Sequence, residues 1–132
     1  MARSPNGRCA AQASLREDRV TIAPVAGGAG WSVPGWHRVL LVADDCRTLG
    51  IGYDGANLLR RPDRLPETPV MRFFHPDGPG RVVVLRQLYP DLAVMPATVS
   101  HWLLYRSSQW NGRDWVVETA DGRVLRFPAQ GD

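Results

Sequence analysis

Along most of the chain, apolar positions come in short runs broken by Gly, Pro, Asn and Asp. This punctuation predicts strands joined by turns rather than a helical bundle. The clearest stretch is 110–127, WNGRDWVVETADGRVLRF. Its Asn111-Gly112 and Asp121-Gly122 dipeptides tolerate positive φ and favour tight hairpin turns. The residues between and after them are rich in Trp, Val, Thr, Leu and Phe, which fit a pleated, half-buried surface. The stretch predicts an antiparallel hairpin of residues 114–120 and 123–127.

In chain order, residues 1–18 are small, polar and charged, without an apolar period. They predict a disordered tail or a short frayed helix over 10–16. Residues 19–23 (RVTIA) predict a first strand, and 24–34 a Gly-rich loop. The nearly continuous apolar run 36–43 predicts a strand covered on both faces, and 49–53 (LGIGY) a short strand with close backbone approach at Gly. Asp54 is placed to cap one turn of helix over 56–61, which Pro62 stops, and 62–69 is a proline-rich surface connection. Residues 70–75 and 81–88 flank Pro76-Asp77-Gly78-Pro79-Gly80 and predict a second hairpin. Its Val82-Val83-Val84 run is stiff at χ1 and disfavours helix. Residues 90–109 carry two patterns. Pro96 followed by Val99, Trp102, Leu103 and Arg106 on one face reads as a helix. The aromatic content of 102–109 and the turn after it favour a strand.

A two-residue Asp121-Gly122 loop would pair Ala120 with Arg123, Glu118 with Leu125 and Val116 with Phe127. Cross-strand partners share a face, so Val116, Ala120, Leu125 and Phe127 form the expected core side. The opposite side would carry Trp115, Val117, Thr119, Val124 and Arg126, joined by Trp102, Leu104 and Arg106 if Asn111-Gly112 is also a two-residue loop. Trp and Arg are over-represented at binding surfaces, which makes Trp102, Arg106, Trp115 and Arg126 the candidate binding residues. A one-residue slip of register would exchange the faces.

Composition bounds the object. At 132 residues, the chain suits one domain with its own core. The expected organisation is a tail over 1–18 and a single globular domain over 19–130. With 44% hydrophobic and 22% charged residues the make-up is that of an ordinary globular protein, and 13 Gly and 11 Pro add turns. The formal charge is +3, and all 16 basic residues are Arg. Such mild basicity permits an acidic partner without demanding one. No run is long enough to span a membrane and no apolar leader core is present near Met1, so the expectation is a cytoplasmic protein with no membrane partner. Cys9 falls in the expected tail, so Cys9 and Cys46 predict no disulfide framework, and no C-x-x-C pair suggests zinc.

Chemistry-bearing patterns are sparse. Asp44-Asp45-Cys46 follows the strongest apolar run, where loop residues often carry function. A small enzyme sited there would need one of His37, His75 or His101 beside it. Adjacent Asp44 and Asp45 would point to opposite faces of a strand, and no metal-ligand spacing joins them to His75 or Asp77. The GGAG of the 24–34 loop lacks the ending of a phosphate-binding loop. No catalytic residue, metal or cofactor is therefore expected.

Residues 96–103, PATVSHWL, resemble the recognition-helix portion of helix-turn-helix DNA-binding proteins. The resemblance implies a winged-helix-like regulator using 96–127, with the following hairpin as the wing. Tyr89 and Pro90 stand near where that family has a small residue and a turn Gly.

The fold class expected is mostly β (β or α+β), a small curved sheet or barrel built from hairpins with one or two short helices. The expected function is a non-enzymatic binding or interaction module for a protein or nucleic-acid partner, a second copy of the chain included.

Overall fold

The computed structural model describes residues 1–52, 66–90 and 105–130. The fold is mostly β, in three small antiparallel sheets that follow one another along the chain. The first sheet is a meander of β1 (Ala2–Arg3), β2 (Cys9–Ser14), β3 (Arg19–Pro24) and β4 (Trp31–Pro34). The second joins β5 (Leu40–Val42), β6 (Leu49–Gly52), β7 (Pro69–His75) and β8 (Gly78–Val84). After the one-turn helix α1 (Leu85–Leu88), the third sheet has β9 (Ser107–Trp110), β10 (Asp114–Glu118) and β11 (Val124–Pro128), with β10 in the middle. Among the described residues no sheet closes into a barrel.

The second sheet is covered on both faces, and alternation along its strands explains how. Leu41, Gly50 and Phe73 lie in register on one face, while Val42, Leu49 and Phe74 lie on the other. Val42, Leu49 and Ile51 pack with Cys9, Ala11, Val20, Ile22 and Val33 of the first sheet. Met71, Phe73 and Val83 pack instead with α1, Trp115, Val117 and Phe127. Two cores thus share one sheet. Gly50 packs closely against the second core, since a Cβ there would lie 3.0 Å from the Phe73 ring and 3.2 Å from Leu41.

Several expectations are corrected. Residues 1–18 are not a tail: β2 pairs with β3 from Cys9↔Pro24 to Ser14↔Arg19, and β1 pairs with β2. Their buried residues are small, so neighbouring strands rather than bulky apolar side chains supply the cover. Cys9 and Cys46 form a disulfide across a sequence separation of 37, with Cα atoms 5.3 Å apart. It ties β2 to the loop after β5. The Gly-rich loop contains β4. The 36–43 run is strand only at Leu40–Val42, because Gly35 turns the chain at φ +93° and leaves Trp36 exposed.

The second hairpin turns at Pro76-Asp77, with His75 opposite Gly78. Its second strand stops at Val84. There the Gln87 side chain accepts the Val84 amide at 2.8 Å and the Leu85 amide donates to Thr68 O, which starts α1. Expected strands 19–23, 49–53, 70–75, 114–120 and 123–127 correspond to β3, β6, β7, β10 and β11. The helix expected over 56–61 lies outside the described residues, as do 91–104 of the segment that read as helix or strand. Residues 107–110 are strand.

Candidate functional site

The third sheet carries the candidate binding residues, and its last turn decides which way they face. The Thr119 amide donates to Arg123 O at 2.8 Å, and the Gly122 amide to Thr119 O at 3.0 Å. Gly122 has φ +89°. The loop therefore holds Ala120, Asp121 and Gly122, a turn followed by a left-handed Gly, which is the common three-residue hairpin. One residue more than the expected loop shifts β11 by one position. Trp115 then pairs with Phe127 and Val117 with Leu125, while Val116 pairs with Arg126 and Glu118 with Val124.

That slip exchanges the faces of β11. Trp115 is only 1% exposed, with its ring centroid 5.8 Å from Phe127 and 5.8 Å, edge on, from Tyr105. It is a core residue and cannot share a surface with Arg126. The solvent side holds Val116, Glu118, Val124 and Arg126, with Val124 68% exposed. Arg126 donates to Asp114 at 2.7 Å, and Arg106 lies 3.8 Å from Glu118 while donating to Ala120 O at 3.2 Å. Trp102, the fourth candidate, lies outside the described residues. Asn111-Gly112 also closes a longer loop than expected, with Trp110 opposite Trp115. Trp110 is half-buried, donates its indole N–H to Val42 O at 2.8 Å and stacks on Phe73.

The turn that sets this register is held from beneath. The Ala120 amide donates to the Tyr89 hydroxyl at 2.9 Å, and Arg123 donates to Asp121 at 2.9 Å and to Leu88 O. Buried Thr119 accepts the Arg123 amide at 3.1 Å and donates to Asp121. The bonds from Arg123 and Thr119 hold the Asp121 carboxyl below its ordinary range. Burial pushes the Tyr89 phenol up.

The loop after β5 holds Asp44, Asp45 and Cys46 with His75 beside it, whereas His37 lies over Gly35 and His101 lies outside the described residues. Asp44 accepts the Asn6 amide at 2.9 Å, and Asp45 accepts the Arg47 amide at 2.8 Å. The sulfur of Cys46 is bonded to Cys9, so it offers no thiolate. His75 Nδ1 donates to Arg47 O at 3.2 Å. Buried Thr48 accepts from the Gln130 amide at 3.0 Å. These groups hold the loop and one another. Among the described residues no group of three or more His, Cys, Asp or Glu is gathered as a metal would need, and no helix is long and apolar enough to cross a membrane.

Comparison with known proteins finds no matching family model, curated protein or solved structure. The functional reading therefore rests on the surface itself. Pattern reasoning could not separate exposed Val124, at the start of the edge strand β11, from buried Trp115, because its only signal was turn length.

Proposed function

We propose that the chain is a non-enzymatic interaction module whose partner is a protein, engaged through the solvent face of the third sheet. One observation carries the reading: each arginine of this face already has a carboxylate on a neighbouring strand, around an exposed valine. A phosphate backbone would have to compete with Asp114 and Glu118 for the guanidinium groups. A mixed protein surface can meet the balanced charges and cover Val124, as interfaces with apolar centres and polar rims do. Nucleic-acid binding is the second of the two partner classes expected, and the charge pairing weighs against it.

The test is association measured by sedimentation velocity and by crosslinking at low and high salt, with single-stranded and duplex oligonucleotides as a parallel arm. The expected outcome is protein association, with a second copy or a captured partner, that changes little with salt and is lost in Val124→Asp. Oligonucleotide binding that weakens steeply with salt would replace this reading by the nucleic-acid one. The cytoplasmic location expected from the sequence meets a counterweight in the Cys9–Cys46 bond, because disulfides persist mainly in oxidising compartments. Alkylation of cells at lysis, followed by a mass shift for free thiols, reads which state the chain keeps.

A further inference from the structure

Between β4 and the β6–β7 pair lies a cleft of about 480 Å³. It arises from the way the first two sheets overlap. Ile51 and Arg72 are register partners, two residues along from Leu49 and Phe74 on the same face of the second sheet. The first sheet covers Leu49 but ends at Pro34, so among the described residues no strand of that sheet covers the face beyond it. Val33, Ile51, Met71 and Phe74 line the cleft with apolar surface.

Arg72 interrupts that apolar row. It is exposed, and no described group makes a hydrogen bond or ion pair with its guanidinium. The His37 ring also lines the cleft, lying over Gly35, where a Cβ would come within 2.9 Å of Nε2. No Asp or Glu is among the described lining residues. An apolar wall and a planar cation, with no carboxylate among the described lining residues, are complementary to one class of ligand. The volume falls within the few hundred Å³ usual for small-molecule sites. A guanidinium pairs a carboxylate through two parallel hydrogen bonds, which gives orientation as well as energy.

We propose that this cleft binds a small organic anion with an apolar body, its carboxylate on Arg72 and its hydrocarbon against Val33, Ile51, Met71 and Phe74. The site is separate from the face of the third sheet, and neither reading depends on the other.

The experiment uses the full chain and the fluorescent apolar sulfonate 8-anilinonaphthalene-1-sulfonate as probe, with octanoate, octanol and octylammonium as competitors. The expected result is saturable probe binding, displaced by octanoate much more readily than by octylammonium. Arg72→Gln should weaken octanoate by roughly tenfold or more, as loss of a charge-assisted pair implies, with little change for octanol. Arg8→Gln, at an exposed arginine that does not line the cleft, should leave octanoate binding unaltered. Arg72 lies at the surface, so its variant keeps the fold, which near-ultraviolet circular dichroism checks. Absence of saturable binding overturns the proposal, as does equal displacement by octylammonium or an equal effect of Arg8→Gln. A final arm uses acetyl-Leu-Phe with a free carboxyl terminus. Tighter binding of that peptide than of octanoate would assign the cleft to chain termini and overturn the free-acid assignment.

Discussion

At the scale of single residues, Trp115 and Val124 show how little residue type says about position. Both were expected on one face of the hairpin, yet Trp115 is 1% exposed and Val124 68%. Trp115 touches Phe127 and Tyr105 and fills the space between the second and third sheets. Trp115→Ala should therefore cost about 3–5 kcal/mol, the range for a buried aromatic truncated to Ala. Val124→Ser should stay within about 0.5 kcal/mol, because an exposed side chain loses little on truncation. Chemical denaturation of the two variants side by side checks both values. A small loss at Trp115 would contradict the packing described. Arg126 and Arg106 were legible as surface arginines, but their partners were not, because Asp114 and Glu118 come beside them only through strand pairing.

At the scale of elements, one loop residue controls a whole face. The Thr119–Arg123 closure gives β11 a register that the Asp121-Gly122 signal alone cannot distinguish from its neighbour. The closure is stabilised by contacts from outside the hairpin, through Tyr89 and Leu88 at the end of α1. Asp121 links the turn to Arg123, and its carboxyl is held below the ordinary value of 3.8. A depressed carboxyl contributes stability above its unfolded value and loses it as pH falls through the folded one. The contribution of Asp121 should therefore be complete near neutral pH and disappear only in acid, below about pH 4. Asp121→Asn should lower the melting temperature at neutral pH and narrow the gap to the parent chain in acid. Thermal unfolding across that range tests this. A gap that stayed constant with pH would rule out the carboxylate as the source.

At the scale of the molecule, the second sheet joins two cores, and the Cys9–Cys46 bond fastens the first sheet to it. With a sequence separation of 37 between the cysteines, the loop-entropy account gives up to about 4 kcal/mol of stabilisation. Reduction, or the Cys9→Ala/Cys46→Ala double variant, should lower stability by up to that amount. The loss should appear first as faster amide exchange in β1–β3, because the second core, around Trp115, makes no use of the bond. Exchange that rises equally in all three sheets would instead mean that the sheets unfold as one unit. The same arrangement explains the misreading of residues 1–18. Their main strand, β2, is made of Ala, Ser, Gln and Cys, which have weak strand preference by themselves, and becomes a strand by pairing with β3 and by the bond to Cys46.

Local pattern by itself determined the class of fold, the β7–β8 and β10–β11 hairpins, and several of the strands rich in branched or aromatic residues. Those features depend on alternation and turn chemistry within a few residues, which a sequence displays directly. Tertiary structure alone decided the rest: the strands near the N-terminus, the disulfide, the burial of Trp115, and the cleft in which Arg72 stands without a described partner. Each depends on which distant segments meet, or on a single residue of loop length. Side chains alternate with a period of two along a strand, so that one residue separates the core from the surface.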